Sequence, residues 1–292
     1  IAKNFLARKF IKGNKALIQF QDNLKQSEIM GDKFSYANSL LGIGLFFRKQ
    51  KKYAKALKYY NNALEVFNHL NNKYEIARTY DLIGHLYEEQ LDYTNTQLYW
   101  NKSKEIYQEI ENQDGISTAI THSGILYIDT GDYLGALNSF KECLVLEKKR
   151  DNHVGTQHAL QNIGKSLLDM GELNKANKYL LKAIEYSKTI EDKSNMHDGY
   201  ECLGVLQLKN KDYKLAKKYL EISNDLVSDC YITKLFLYLT YKAIGKKYDI
   251  NELIPLIKKS EGMDFHINYH IYQLLEESSY LATAYSQVQE KA

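Results

Sequence analysis

Proline is almost absent from this chain. One residue in 292 is proline, against about one in twenty in ordinary proteins. Helix interiors exclude proline, so its scarcity argues for helices and against a strand-and-loop fold. Cysteine is also scarce. Cys143, Cys202 and Cys230 lie far apart with no CxxC pair, which excludes a disulfide framework, supplies no cysteine-rich metal motif and suits a reduced, cytoplasmic setting. No apolar run nears the ~18 residues needed to span a bilayer; the most apolar stretch, Leu235 to Tyr241, has seven. Neither charge sign dominates, the formal net charge being +3. Arginine supplies only four of the 39 basic residues, whereas bidentate phosphate readers favour it. No nucleic-acid or membrane partner is therefore expected, and lysines such as Lys175, Lys178 and Lys182 read as a solvated helix face. Phosphate-cradling GxxxxGK[ST], GxSxG and HExxH signatures are missing, so the expectation is no enzyme, no cofactor and no metal. His266 and His270 stand four apart on one helix face, but no third ligand accompanies them. The chain begins at Ile1, which reads as a segment excised from a longer protein.

What the chain does have is a period. Glycine recurs at Gly44, Gly84, Gly124, Gly164 and Gly204, always 40 residues apart. At ordinary glycine frequency, four such coincidences arise about once in 10⁵ trials. Small residues hold phase twelve positions later (Ala56, Thr96, Ala136, Ala176, Ala216) and nineteen later (Ala63, Ser103, Cys143, Ala183, Ser223). A large residue falls sixteen later, at Tyr60, Trp100, Phe140, Leu180 and Leu220. Small side chains at fixed phase mark close helix contacts that a bulkier group would overpack, and the large residue is expected to fill the space between neighbouring hairpins. Asp92, Asp132 and Asp212 precede a tyrosine and suit helix N-caps, and Gly131 and Gly171 can end the preceding helix in a left-handed conformation. Each period is thus helix, tight turn, helix.

This arrangement resembles the tetratricopeptide repeat. The residues carrying the likeness include Tyr80, Ile83-Gly84, Tyr87, Thr96, Trp100 and Ser103, and again Ile120, Gly124, Tyr127, Ala136, Phe140 and Cys143. The common unit of that family has 34 residues, and the 40-residue unit here resembles the longer subclass of kinesin light chains, LGN/Pins adaptors and bacterial peptide-sensing regulators. The resemblance implies an all-α, right-handed α-solenoid of antiparallel helix pairs with a divergent C-terminal helical cap. Six repeats are expected over 1–229 (1–32, 33–72, 73–112, 113–152, 153–192 and 193–229), with a degenerate repeat and cap over 230–292. Helix pairs are placed at 2–12/14–30, 34–50/53–71, 74–90/93–111, 114–130/133–151, 154–170/173–190 and 194–210/213–228. In the first repeat Asn4 stands where the glycine should be. Beyond these, Tyr231 to Ala243 reads as another first helix and Asn251 to Ser260 as a short helix holding Pro255. One long helix is expected from Phe265 to the end, with Ile271, Leu275, Ser278, Leu281, Tyr285 and Val288 as a stripe that covers the last open face or joins two copies into a homo-oligomer.

The resemblance further implies that first helices line a concave groove for a protein or peptide ligand. Mapping the family's contact positions gives Asn38 in the second repeat; Arg78, Asp81 and His85 in the third; Thr118, Thr121 and His122 in the fourth; His158, Gln161, Asn162 and Lys165 in the fifth; and Asp198 and Glu201 in the sixth, joined by Val205, Leu208 and Lys209. The lysine and asparagine pair by which chaperone-tail-binding members clamp a carboxylate is missing, since Asp81 and His85 occupy those places. His122 and His158 are expected as neighbours in a site near His85 whose affinity changes between about pH 5 and 8 as imidazoles titrate. The function expected is a non-enzymatic interaction module. The alternative is a sensor segment of a larger bacterial signalling protein that carries, for example, a nucleotide cyclase or a DNA-binding domain.

Overall fold

A computed structural model describes residues 14–260, 263 and 265–291, and among these there are helices and no strands. The helix expected over 2–12, with Asn4, lies outside the described residues. The first helices of successive pairs are α2 (Lys33–Lys49), α4 (Lys73–Glu88), α6 (Gln113–Asp129), α8 (His153–Asp169) and α10 (Lys193–Lys209). Their partners are α3 (Tyr53–His69), α5 (Tyr93–Glu109), α7 (Tyr133–Lys149), α9 (Leu173–Thr189) and α11 (Tyr213–Leu226), with α1 (Asn14–Ile29) ahead of them all. The chain is an all-α solenoid of helix pairs, as the periodicity predicts. It divides into two compact units, Ile1–Ser139 and Phe140–Ala292.

The turns repeat at half the glycine period. A residue with positive φ occurs at Gly31, Lys51, Asn71, Leu91, Glu111, Gly131, Asp151, Gly171, Glu191 and Lys211, a spacing of 20 throughout. At nine of them, the next N–H reaches back to close the ended helix: Lys52 donates to the Phe47 carbonyl at 2.9 Å, Asn72 to Phe67 at 3.0 Å and Asp212 to Gln207 at 3.0 Å. That is the six-to-one bond of a Schellman closure. The same residue then caps the following helix. Asp92 accepts from Asn95 N–H at 3.1 Å, Asn112 from Gly115 at 2.7 Å and Asp132 from Gly135 at 2.9 Å. Lys52 and Glu172 make no such side-chain cap. Glycine supplies the left-handed position at three of the ten turns only, so the other seven carry a side chain where the backbone disfavours one.

Four of the five periodic glycines sit directly under their periodic large residues. A Cβ at Gly44 would lie 2.5 Å from the Tyr60 ring, at Gly84 2.3 Å from Trp100, at Gly164 2.7 Å from Leu180 and at Gly204 2.4 Å from Leu220. The large residue therefore lies over the glycine of its own hairpin, and Trp100 at the same time stacks on His122 of the next hairpin, in the space between the two where it is expected. The small residues are fully enclosed, Ala56, Thr96, Ala176, Ala216, Ser103 and Ser223 all being 0% exposed.

At the C-terminus α12 (Tyr231–Ala243) forms as expected. A 3₁₀ turn (Ile250–Glu252) precedes a short α13 (Ile254–Lys259), with Pro255 in its first turn, where the missing N–H costs least. The expected single terminal helix is two: α14 (Phe265–Leu275) and α15 (Ser278–Lys291). Glu276, at φ 62°, breaks it. This break also splits the stripe. Ile271 is buried in a core with Leu235, Leu253 and Leu274, whereas Leu281, Tyr285 and Val288 remain exposed.

Candidate functional site

In the first unit, the third repeat builds a polar cluster beneath its first helix. Asp81 on α4 is 9% exposed and accepts a hydrogen bond from the Tyr107 hydroxyl of α5 at 3.2 Å through Oδ2. Its other oxygen, Oδ1, has no hydrogen-bond partner and faces His122 Nδ1 of α6 across 3.9 Å; that nitrogen is equally unpartnered. The His122 ring stacks on Trp100 with centroids 4.7 Å apart and meets His85 edge-on at 4.6 Å. His85 points Nδ1 at Glu88, 2.9 Å away. A carboxylate only accepts, so His85 donates there.

Burial governs the charges. Loss of water pushes the Asp81 carboxyl up to about 6, opposed by the Ser103 and Tyr107 hydroxyls. Burial, with a smaller contribution from His85, pushes His122 down to about 3. At neutral pH the cluster thus holds a carboxylate with one free oxygen beside a neutral imidazole. The expectation that His122 titrates between pH 5 and 8 is corrected: Asp81 is the group that changes charge near that window, because burial disfavours the imidazolium. Trp100, Ser103 and Tyr107 come from the second helix and read as packing positions by phase alone. Only the polarity of Ser103 and Tyr107, one helical turn apart, hints at a second role.

Other groove positions are held locally. Arg78 pairs with Glu75 at 2.7 Å on its own helix, which gives it an internal partner. Asn38 is buried and donates to the Phe34 carbonyl at 3.1 Å. Thr118, exposed, and Thr121, half-buried, turn their hydroxyls back to Asp114 and Ser117 carbonyls.

In the second unit Gln161 is buried and accepts from Gln157 at 2.6 Å, while exposed His158 meets Asn195 of the next first helix at 3.1 Å. His122 and His158 belong to different units, and each is described within its own. Asn162 is half-buried, as is Lys165, whose ammonium is favoured by Cys202, Asp198, Glu201 and Asp169 around it. Asp198 and Glu201 lie on α10 beside His197. Further along α10, Val205, Leu208 and Lys209 line a cleft of about 470 Å³. Its far wall is Phe236, Leu239 and Lys242 of α12, with His270 and Gln273 of α14. Apolar side chains dominate its lining, which also includes the exposed Lys209 and Lys211.

No helix among the described residues is long and apolar enough to cross a membrane. No curated protein sequence matches the chain. The structure is similar to a Rap conjugation gene regulator of plasmid pLS20 in complex with the Phr* peptide (TM-score 0.70, 17% identity, 91% of this chain and 77% of that one). It is similar too to NprR in complex with its cognate peptide NprX (0.62, 17%, 94% and 79%). A third similar structure is a signal transduction ATPase with a tetratricopeptide repeat sensor from Pyrococcus horikoshii (0.64, 17%, 90% and 39%). Tetratricopeptide repeat profiles match residues 35–109 and 157–189, so the chain carries tetratricopeptide repeats over those stretches.

Proposed function

We propose that the chain is a non-enzymatic peptide-binding module of the cytoplasm whose first helices receive an extended or helical segment. One observation carries this reading: three residues at groove positions, Val205, Leu208 and Lys209, form one wall of the apolar cleft between α10, α12 and α14. Apolar walls provide an anchor pocket for a ligand side chain, and the few polar groups at the rim fix orientation. With the exposed Lys209 and Lys211 in its lining, the ligand suited to it is a peptide with an apolar anchor next to an acidic side chain or a terminal carboxylate. The two peptide-bound structures similar to this chain support the reading.

A random-peptide display library panned on the full chain tests it. The expected selection is enriched in one apolar residue beside an acidic one, and a Leu208→Ser, Lys209→Glu double variant that keeps its helical circular dichroism weakens the selected peptides at least tenfold. Selected peptides that bind the variant unchanged refute the cleft as the site.

A second reading, that the segment serves as the sensor of a larger signalling protein, draws on the ATPase whose repeat sensor it resembles and of whose chain it covers 39%. The sequence of the full gene on either side of this segment decides between the two.

A further inference from the structure

A group of three unlike donors in the second unit has no role in the peptide reading. His197 and Glu201 stand one turn apart on α10, and Cys230 is the residue from which α12 starts. The imidazole Nε2, a Glu201 carboxylate oxygen and the Cys230 sulfur lie within 4.8 Å of one another. His197 is 6% exposed, while Glu201 and Cys230 are half-buried. We propose that His197, Glu201 and Cys230 form a binding site for a zinc-like divalent transition metal that joins the sixth repeat to the C-terminal helices.

The tautomer of His197 is fixed in the required sense. Its Nδ1 lies 3.0 Å from the Ser223 backbone carbonyl. A carbonyl cannot donate, so Nδ1 carries the hydrogen. The Ser223 hydroxyl, in turn, donates to the His197 carbonyl at 3.0 Å. With the hydrogen on Nδ1, the neutral tautomer keeps its lone pair on Nε2, which stands 4.0 Å from Glu201 Oε2. A metal-bound histidine typically has this outer partner, which orients the ring and raises its basicity. A nitrogen lone pair and a carboxylate oxygen at this separation suit a cation between them.

The spacing suits the ion. Zinc bonds of about 2.0–2.1 Å to nitrogen or oxygen and 2.3 Å to sulfur put tetrahedral ligand atoms about 3.3–3.5 Å apart. Cys230 Sγ is 3.6 Å from Glu201 Oε2, and the 4.0 Å between Nε2 and the same oxygen closes with a side-chain adjustment of about half an ångström. Thr233 also donates to Glu201 Oε2, holding the carboxylate in place. A fourth position falls to water or to Asp198, whose Oδ1 is 4.0 Å from Nε2. Thiolate, imidazole and carboxylate together select zinc or its transition-metal neighbours over magnesium or calcium, which take oxygen ligands. On binding, the Cys230 thiol gives its proton to solvent and the thiolate takes its place on the ion. Cys230 makes no side-chain cap to α12, so its sulfur has no competing structural duty in that helix.

Cobalt(II) added anaerobically to the reduced, metal-free full chain tests the site by absorption. The expected result is one equivalent bound, a sulfur-to-cobalt charge-transfer band in the near ultraviolet and bleaching of that band by zinc. Cys230→Ser should abolish the band while leaving the helical signal unchanged, and Glu201→Gln should weaken binding at least tenfold. Because His197→Ala removes a buried hydrogen-bonded ring and can unfold the repeat, Cys230→Ser carries the decision. Absence of the band in the wild-type chain, or a band of equal strength in Cys230→Ser, overturns the proposal. The first outcome leaves a proton rather than a metal between His197 and Glu201, and the second assigns the ion to Cys143 or Cys202.

Discussion

Asp81 and His122 should make opposite and nearly cancelling contributions to stability between pH 4 and 6. Asp81 is displaced from its ordinary 3.8 to about 6. In the window between these values the folded chain binds more protons than the unfolded one, so stability is lost as pH rises through it. His122 is displaced the other way, from 6.5 to about 3. Between those values the folded chain binds fewer protons, so stability is gained as pH rises. At about 1.4 kcal/mol per tenfold change in proton affinity, the first effect is worth about 3 kcal/mol and the second about 5 kcal/mol. In the wild type the two slopes offset each other from about pH 4 to 6. Asp81→Asn removes the falling slope, so its stability relative to wild type should rise by about 3 kcal/mol over that range. His122→Gln removes the rising slope, so its relative stability should fall by about 5 kcal/mol between pH 3 and 6.5. Urea titrations of the full chain, repeated at half-unit pH steps for wild type, each variant and the double variant, measure these differences. Because the two groups stand 3.9 Å apart, the double variant should run parallel to wild type from pH 4 to 6 even though neither single variant does. Single variants that track wild type at every pH would show that burial does not govern this cluster, and the reasoning would fail.

Four further outcomes are expected. Gly84→Ala sets a methyl 2.3 Å from Trp100; overpacking of about 1–3 kcal/mol outweighs the roughly 1 kcal/mol gained in helix propensity, so the thermal midpoint should fall and tryptophan fluorescence should change. Leu91→Gly relieves a left-handed leucine that is 63% exposed and should stabilise by about 0.5–1 kcal/mol, which urea titration reads directly. Asn112→Ala deletes the bond to Gly115 N–H and should cost about 1 kcal/mol, visible in the same titration. If the exposed Leu281, Tyr285 and Val288 join two copies, serine at all three positions should leave only monomer in light scattering at concentrations where the wild type is larger.

The helices were legible because their signals are local or periodic. Glycine phase, the small residues around it and the aspartate caps each require nothing but spacing, and α2 to α11 begin and end within two residues of where these put them. The break at Glu276 escaped because a left-handed glutamate has no distinctive residue type. The left-handed conformation at the seven non-glycine turns escaped for the same reason, although the turns themselves fall where the helix pairs put them. At the site, first-helix positions led to Asp81, His85 and His122 but not to Trp100 and Tyr107, which reach the cluster from the partner helix. His197 and Cys230 meet across 33 sequence positions, and no periodic position links them. The charge state of Asp81 depends on how much water the neighbouring ring excludes, which is a property of packing and has no sequence pattern.

The twenty-residue rhythm of the turns has a consequence for how such a chain can be shortened or lengthened. Every turn ends one helix and opens the next with the same few atoms, so a cut and rejoin between any two of them preserves a legal backbone. Excising forty residues, for example 73–112, removes one hairpin and leaves Gly44 facing Tyr60, Gly164 facing Leu180 and Gly204 facing Leu220. Excising twenty, for example 73–92, keeps the turns intact but shifts the alternation by one helix. Downstream helices with glycines would then stand where their large-residue partners belong, and the pairs at the junction would collide or leave a void. Backbone grammar counts in twenties while side-chain grammar counts in forties, and whole hairpins are the smallest pieces that satisfy both.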